Sequence, residues 1–299
     1  MSTPRRAALP TARLVALTAL AMLAFAGNSL LGRVALKHTG IDPASFTTVR
    51  LASGALVLWL LVRVRGTAAG RGDWASALAL FAYAAAFSFA YVSLPAATGA
   101  LLLFGAVQAT MIGHGIRAGE RLRGAQIVGF ALALAGLVGL LLPGLSAPPL
   151  RGALFMLGAG LAWGVYSLRG RGAGDPTRIT AGNFLRAALL AAALSALLAG
   201  SARLDTAGVG YAIASGALAS GMGYAIWYAV LPALKSTQAA IVQLSVPVIA
   251  ALGGIVFLGE ALTLRLALAS AAILGGIALF ILEKRPAAAA PVAAPARRR

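Results

Sequence analysis

Residues 28–33 read NSLLGR, and a similar stretch, YSLRGR, returns at residues 166–171, about 138 positions further along the chain. The dipeptide Gly119-Glu120 returns in the same way as Gly259-Glu260, about 140 positions on. Two weaker matches lie between these pairs, in the same order and at nearly the same offset. An ordered set of matches at one offset predicts that the chain consists of two copies of one unit. The weaker pairs are Val49-Arg50-Leu51 with Leu185-Arg186-Ala187, and Leu94-Pro95 with Leu231-Pro232.

The composition is that of an integral membrane protein. Hydrophobic residues make up 60% of the chain, charged residues only 11%, and the mean hydropathy is +0.90. A spanning helix needs about 20 mostly apolar residues. The apolar runs are too long for barrel strands and lack their alternation, which leaves helices as the spanning elements. Ten such stretches lie at residues 14–32, 44–62, 74–93, 97–116, 124–143, 152–168, 180–199, 207–230, 237–257 and 263–282.

Two copies with five spans each have a topological consequence. Because the chain changes sides at every span, the second copy starts from the opposite face of the membrane and is inverted relative to the first. The predicted fold class is therefore an all-α integral membrane protein with ten transmembrane helices, arranged as two inverted five-helix repeats. We expect a cytoplasmic N-terminal segment at residues 1–13, repeats at residues 14–143 and 152–283, and a disordered cytoplasmic tail at residues 284–299.

The basic residues are distributed asymmetrically. Most of the 25 lysines and arginines fall in alternate connections, on the side that also holds both termini, while Arg50 and Arg186 lie within spans. By the positive-inside rule this predicts that both termini lie in the cytoplasm. The net charge of +18 follows from this pattern and not from a basic patch, which argues against nucleic-acid binding. The side predicted to face outward carries Arg33, Lys37, Arg151, Arg203 and Arg265.

The first apolar stretch has features of a cleavable signal peptide, since basic residues precede it and it contains Ala24-Phe25-Ala26. Cleavage there would remove the first span and leave nine, so we expect an uncleaved first helix. The chain contains no cysteine, which excludes disulfides and thiolate metal sites.

The sequence contains no pattern typical of an enzyme. The two histidines, His38 and His114, are far apart, and no acid pair lies inside a span, so we predict no metal, no cofactor and no catalytic site. Proton-coupled carriers usually keep an ionisable group in the pathway. The missing carboxylate therefore favours facilitated diffusion or exchange, with His114 as the alternative proton site. All seven carboxylates fall at span ends or in loops, namely Asp42, Asp73, Glu120, Asp175, Asp205, Glu260 and Glu283.

Charged residues near the span ends admit two interpretations each. Glu120 and Glu260 each precede an apolar helix, where a carboxylate meets free backbone N–H groups and the positive end of the helix dipole. We therefore favour a structural role for them over substrate contact. Arg50 and Arg186 serve either as interfacial anchors or as contacts for a gate or a substrate carboxylate. Pro247, in the middle of the ninth span, removes one backbone hydrogen bond and is expected to kink the helix.

Aromatic side chains in the middle of spans are the main candidates for a substrate site. Tyr83 and Phe87 are four residues apart and so share one helical face. Trp163 and Tyr166 lie one turn apart in the sixth span. An interfacial belt explains aromatic residues near span ends but not those in mid-span. Amides at this depth either join helices or line a cavity for a neutral or zwitterionic solute with an apolar part. The remaining candidates are Tyr224, Asn28, Gln108 and Gln243.

These features together resemble one known family. Ten spans, a duplicated five-helix unit, a Gly-Glu step before the last helix of each half, an early arginine in each second span and Trp163-Gly164-Val165-Tyr166 resemble the EamA-type drug/metabolite transporter superfamily. Within it, Trp163 and Tyr166 are most similar to bacterial aromatic and neutral amino-acid exporters. The resemblance covers residues 14–283. It implies a central cavity lined by Trp163 and Tyr166, between inverted halves that rock to open it on either side, with Glu120 and Glu260 as pivots.

The sequence therefore predicts an inner-membrane exporter or facilitator of small amphipathic metabolites, with amino acids as the expected cargo. Its expected partners are the small-molecule substrate and membrane lipids, and we expect a monomer or a weak homodimer. The alternatives are a multidrug or nucleotide-sugar-like carrier and a membrane-embedded enzyme. The fourth span has Phe104-Gly105-Ala106 where some amino-acid exporters have an aromatic residue and a proline, which leaves the identity of the substrate open.

Overall fold

The protein is helical throughout the part of the chain that the structure describes. The structure is a computed structural model, and it describes residues 10–66, 71–119, 122–144, 147–170, 175–234 and 242–282. No strand occurs within these ranges. The helices, numbered in chain order, are α1 (Thr11–His38), α2 (Pro43–Arg65), α3 (Trp74–Tyr91), α4 (Ala96–Arg117), α5 (Gly124–Leu141), α6 (Leu150–Arg169), α7 (Pro176–Leu197), α8 (Thr206–Ile213), a π-helical segment (Ala214–Met222), α9 (Gly223–Val230), α10 (Ser245–Leu258) and α11 (Leu264–Leu282).

The predicted all-α membrane fold is confirmed at the level of its helices. Within the described residues, eight helices are long and apolar enough to cross a membrane, when α8, the π segment and α9 are counted as one. The shorter apolar helix is α10, and α6 adds a helix of 20 residues with Arg151 and Arg169 near its ends. These ten helices lie at the ten predicted stretches, although residues 237–241 of the ninth fall outside the described part. The inverted arrangement of the two halves stays a prediction.

Aspartates begin four of the helices. Asp42, Asp73, Asp175 and Asp205 each lie at an N-cap, where the side chain accepts a hydrogen bond from a backbone N–H of the first turn. Proline follows Asp42 and Asp175 at the first helical position, where its fixed φ suits the helix. Hydrogen bonds from the hydroxyl and the backbone N–H of Ser76 lower the pKa of Asp73 to about 2. Capping therefore explains why these carboxylates lie at helix ends.

The helices pack in pairs that bring the first half of the chain against the second. Helix α2 packs along α7, α3 along α6, and α5 along α11, while α4 contacts both α6 and α10. The α5–α11 contact depends on glycine, because a Cβ at Gly129 would lie 2.5 Å from the carbonyl oxygen of Gly276. Helix α1 contacts α9, α10 and the π segment. As a result, helices from both halves surround the middle of the bundle, where the candidate site lies.

The connections between helices form two ends of the bundle. The Arg33 end comprises the C-terminal ends of α1 and α3 and the N-terminal ends of α2 and α4. There, Asp42 and Arg203 exchange two hydrogen bonds, of 2.8 and 3.0 Å, through their backbone and the Asp42 carboxylate. The opposite end, called the Asp73 end, holds the N-terminus of α3 and the C-terminus of α6, which an ion pair of 2.9 Å between Asp73 and Arg169 connects. Both ends therefore link the two halves of the chain.

Candidate functional site

The aromatic face predicted on α3 is present in the middle of the bundle. The rings of Tyr83 and Phe87 are 5.7 Å apart, and those of Phe87 and Tyr91 are 4.6 Å apart, both in edge-to-face arrangements. All three side chains are buried. Tyr83 is near the midpoint of α3 and Tyr91 is its last residue, so this face runs from the middle of the bundle to the Arg33 end. The four-residue spacing thus places one continuous aromatic surface against the neighbouring helices.

The ring of Trp163 connects this face to two further helices. Its centroid lies 4.9 Å from that of Tyr83, 5.4 Å from that of Tyr166 and 5.2 Å from that of Tyr224. The last pair is stacked, with 24° between the ring planes. Three of the predicted aromatic candidates, on α3, α6 and α9, therefore meet around one half-buried tryptophan. We call these four side chains, together with Phe87, the central aromatic cluster.

Two phenylalanines that were not predicted as site residues also contact this cluster. Phe25 of α1 lies 5.6 Å from Tyr224, and Phe184 of α7 lies 5.7 Å from the same ring, in both cases edge to face. Phe184 is 1% exposed. Nothing in the local sequence separates these phenylalanines from other apolar residues of their helices. Only the way in which α1 and α7 pack against α9 brings them to the site.

Polar side chains lie beside the rings at the same depth. The amide nitrogen of Asn28 donates a hydrogen bond of 3.3 Å to the Tyr83 hydroxyl, and the hydroxyl of Ser215 donates one of 2.7 Å to the Asn28 amide oxygen. On the other side of the cluster, the amide nitrogen of Asn183 donates one of 3.4 Å to the hydroxyl of Tyr166. Ser215 and Asn183 are buried, and Asn183 was not predicted as a site residue. The middle of the bundle thus combines aromatic faces with amide and hydroxyl groups.

Arg50 is the charged member of this site. Its side chain is only 1% exposed, which makes it one of the largest fully buried side chains among the described residues. One guanidinium nitrogen, Nη2, donates to the Tyr83 hydroxyl at 3.0 Å and lies 3.5 Å from the Ser220 hydroxyl. The guanidinium carbon lies 4.6 Å from the centre of the Phe87 ring and 5.2 Å from that of Tyr83. Burial at this depth contradicts the alternative that Arg50 is an interfacial anchor.

Two nitrogens of this buried cation lack a partner. Within the described residues, Nε and Nη1 of Arg50 form no hydrogen bond. An arginine at the centre of a membrane helix costs about 2.5–3.5 kcal/mol on insertion scales. Contact with aromatic faces recovers about 0.5–2 kcal/mol of such a cost. The remaining cost makes Arg50 a candidate functional residue.

The irregular π segment of the eighth span adjoins Arg50. It carries both Ser215 and Ser220, and its Gly216 packs so closely on α2 that a Cβ there would overlap the carbonyl group of Arg50 and the hydroxyl of Ser53. Segments of π helix occur frequently at functional sites because the extra residue per turn redirects side chains. Here the segment directs two hydroxyl groups towards the middle of the bundle.

Arg186, which was paired with Arg50 in the sequence comparison, lies in a different environment. Its Nη1 donates to the carbonyl oxygens of Arg71 and Gly182, at 2.7 and 2.9 Å, and its guanidinium lies 5.7 Å from the Trp74 ring. Arg186 thus binds backbone oxygens at the Asp73 end and is not near the cluster.

Arg50 and Asn183 hold the same position when residues are counted from the starts of their helices. Both lie eight residues after the aspartate of the Asp-Pro steps that begin α2 and α7, while Ser53 and Arg186 lie eleven residues after it. In this count the two arginines that were matched in the sequence are three residues apart. The cation of Arg50 and the amide of Asn183 both donate to a tyrosine hydroxyl of the cluster.

Glu260 caps a helix, but not the helix that was predicted. Its two carboxylate oxygens accept from the backbone N–H of Ala96 at 3.0 and 2.8 Å, and Oε1 also accepts from Arg33 Nε at 3.2 Å. The helix that it caps is α4, whose N-cap residue, Pro95, has no capping side chain. Gly259 has a φ of +62°, and this left-handed turn directs the glutamate back across the bundle. The capping chemistry was predicted correctly and the helix was not.

The remaining predicted residues are not part of the cluster. Gln108 and Gln243 are half-buried, and within the described chain neither contributes to the ring and hydrogen-bond contacts of the middle. Pro247 is buried in the first turn of α10, and a turn at Leu244 interrupts the helix just before it. Glu120 lies outside the described residues, although the preceding Gly119 has a φ of +89°, in the same left-handed region as Gly259.

A separate cleft lies at the Arg33 end. Its volume is about 240 Å³, and it is bounded by the start of α4, the ends of α5 and α10, and the loop that carries Glu260. The lining includes Ser93, Thr98 and Thr263 together with apolar side chains. Glu260 thus lines this cleft and also pairs with Arg33.

Comparison with known proteins agrees with this architecture. Residues 150–282 match the EamA-like transporter family. The chain is 61% identical over 275 residues to Uncharacterized protein PA1977 of Pseudomonas aeruginosa, covering 91% of this chain and 96% of that protein. It is 32% identical over 117 residues to the threonine/homoserine exporter RhtA of Escherichia coli K12, covering 38% of this chain and 39% of that exporter.

A solved structure has a similar fold. A crystal structure that is 23% identical in sequence superposes with a TM-score of 0.64, over 90% of this chain and 97% of its own. The helical bundle, the family match and the similarity to a curated exporter agree with one another. The chain is therefore a multi-pass membrane transporter and belongs to the EamA-like transporter family.

Proposed function

We propose that this protein is an inner-membrane exporter or facilitator of small neutral or zwitterionic amphipathic metabolites, with amino acids as its main cargo. The observation that carries the proposal is the central aromatic cluster, which combines the stacked rings of Trp163 and Tyr224 with the amide of Asn28 at mid-depth. Aromatic faces suit the apolar part of such a solute, while amides and hydroxyls suit its polar groups. The similarity to a threonine/homoserine exporter supports the same cargo class.

The proposed mechanism is alternating access between two inverted halves, residues 14–143 and 152–283. The helix pairs support it, because they repeat when the two halves are exchanged. Helices α2 and α7 occupy equivalent positions and pack together, as do α5 and α11. The contact of α3 with α6 has its equivalent in the contact of α1 with the π segment and α9. A pattern of this kind is expected of inverted repeats that enclose a substrate site at their interface.

The proposed orientation puts the Asp73 end and both termini in the cytoplasm. The density of arginines in the connections on that side supports it. The Arg33 end, with its ion pair and its cleft, then faces the outside. In this orientation Glu260 joins α1, α4 and the loop before α11 at the outer end of the bundle.

We propose transport down the substrate gradient or by exchange. The five carboxylates of the described residues, Asp42, Asp73, Asp175, Asp205 and Glu260, all lie at helix ends or beside them. A carrier that couples to protons through a carboxylate needs one in the pathway. The proposal therefore predicts exchange that follows the solute gradient.

Counterflow in proteoliposomes tests the proposal. Purified protein is reconstituted and loaded with unlabelled threonine, homoserine, phenylalanine, tryptophan or a nucleotide sugar, and uptake of the labelled compound is measured. We expect counterflow with at least one of the amino acids, none with the nucleotide sugar, and no acceleration by an imposed pH gradient. Counterflow of the nucleotide sugar alone would reject the amino-acid assignment, and strong acceleration by a pH gradient would reject uncoupled transport.

A further inference from the structure

The contacts of Arg50 with the central aromatic cluster do not account for its charge or for all of its N–H donors. Its guanidinium is buried at mid-depth, where Nη2 donates to Tyr83 and the other two nitrogens have no partner within the described chain. A residue that only joined α2 to α3 through a hydrogen bond to Tyr83 would need one donor and no charge. Glutamine in the same place would supply that bond at a much smaller cost of burial. The unused donors therefore indicate a ligand.

The charge of the site determines the charge of that ligand. The two ion pairs of the described residues belong to Arg33 with Glu260 and to Arg169 with Asp73, at opposite ends of the bundle. No carboxylate of the described chain pairs with Arg50, so the cluster carries one uncompensated positive charge. A solute that enters this site gains most if it brings a single negative group.

The geometry of the guanidinium N–H donors of Arg50 indicates which negatively charged group the ligand carries. Guanidinium presents five N–H donors in a planar fork that matches the two oxygens of a carboxylate. We propose that Arg50 binds the carboxylate of the transported solute, so that a free carboxylate is required for transport. This inference rests on the proposed function and names the group by which the same site recognises its cargo.

The neighbours of Arg50 fit the rest of an amino acid. The rings of Trp163 and Tyr224 belong to the same cluster as Tyr83, to which the guanidinium donates. They suit an apolar side chain or, by cation–π attraction, an ammonium group. The amide oxygen of Asn28, which already accepts from Ser215, provides a further acceptor for ammonium. The site thus offers a cation for the carboxylate and acceptors or π faces for the opposite charge.

A series of solutes that differ in one group tests the inference. L-phenylalanine, its methyl ester and 3-phenylpropionate share a benzyl group, and only the ester lacks a free carboxylate. Binding is followed by the tryptophan fluorescence of the purified protein, and transport by counterflow of each compound. We expect both acids to bind between about tenfold and a hundredfold more tightly than the ester, as expected for a charge-assisted hydrogen bond.

Variants of α2 separate recognition from structural support. Arg50→Gln should remove the preference of acid over ester, and Arg50→Lys should reduce it because one ammonium cannot replace the fork. Arg63→Gln, the matched change at an exposed arginine of the same helix, should leave the preference unchanged. Thermal melting in detergent checks that each variant is folded.

The possible results of these experiments distinguish a failure of the carboxylate inference from a failure of the proposed function. If the unaltered protein binds acid and ester equally, or if Arg50→Gln and Arg50→Lys both lower binding while the ratio of acid to ester stays the same, the inference is overturned. If the acids bind in an Arg50-dependent way but no amino acid undergoes counterflow, the proposed function fails while the carboxylate site stands.

Discussion

The arginines at the two ends of the bundle and the arginine in its middle are held in opposite ways. Arg33 and Arg169 each form an ion pair, with Glu260 at 3.2 Å and with Asp73 at 2.9 Å. Arg50 is more deeply buried than either, yet it has no carboxylate partner among the described residues. A paired cation needs no ligand, whereas a buried cation without a counterion is expensive to keep. The difference separates the arginines that join the two halves from the one that we propose recognises the cargo.

The largest expected effect comes from giving Arg50 a carboxylate of its own. The hydroxyl of Ser220 lies 3.5 Å from Arg50 Nη2, so Ser220→Asp would pair with Arg50 as Glu260 pairs with Arg33. We expect this variant to lower amino-acid counterflow by about a hundredfold, because the internal carboxylate occupies the cation in place of the cargo. Counterflow in proteoliposomes measures the loss.

Ser220→Asn is the matched control, since it has the same shape without the charge. It should keep at least a tenth of the counterflow, and Ser220→Asp should melt no lower than Ser220→Asn. An equal loss of counterflow in the two variants would point to steric damage in the π segment and would contradict the role of charge.

The second prediction concerns the central aromatic cluster. Trp163→Ala removes ring contacts to Tyr83, Tyr166 and Tyr224, each worth about 0.5–1.5 kcal/mol. We expect counterflow to fall by about tenfold to a hundredfold while the protein stays folded. Trp59→Ala is the control, because Trp59 is 48% exposed on the outer surface of α2. Unchanged counterflow in Trp163→Ala would remove this residue from the site.

The third prediction tests the Arg33 end. A double-mutant cycle of Arg33→Gln and Glu260→Gln should give a coupling energy of about 1–3 kcal/mol, since the side chains are only 11% and 13% exposed. Denaturation in detergent measures it. Glu260→Gln alone keeps one acceptor for the Ala96 N–H, so α4 should still form. A coupling energy near zero would mean that the pair does not join the two halves.

The smallest effect is expected at the Asp73 end. Asp73 and Arg169 are about half exposed, so their pairing should contribute at most about 1 kcal/mol and weaken with salt. The pKa of Asp73 is lowered from 3.8 to about 2, so its stabilising contribution is complete above pH 3.8 and is lost as the pH falls towards 2. The difference in melting temperature between the protein and Asp73→Asn should therefore stay constant from pH 7 to pH 5. A difference that shrinks in that range would contradict the lowered pKa.

The sequence alone predicted the helices and the aromatic face of α3. Hydrophobic runs of sufficient length can form only helices in a membrane, because every backbone group must be satisfied within the run. The positions of the aspartates at helix starts follow from capping, which is local. The spacing of Tyr83 and Phe87 is likewise local, since residues four apart share a helical face.

Only the tertiary structure determined which polar residues lie in the middle of the bundle. Arg50 and Arg186 were paired in the sequence comparison, and only the packing of α2 against α3 and the π segment buries one of them. Glu260 caps α4 across a separation of 164 residues, which no local pattern encodes. Phe184 joins the cluster in the same way. Hydropathy and helical spacing act over a few turns, whereas the site depends on the relative placement of helices far apart in the chain.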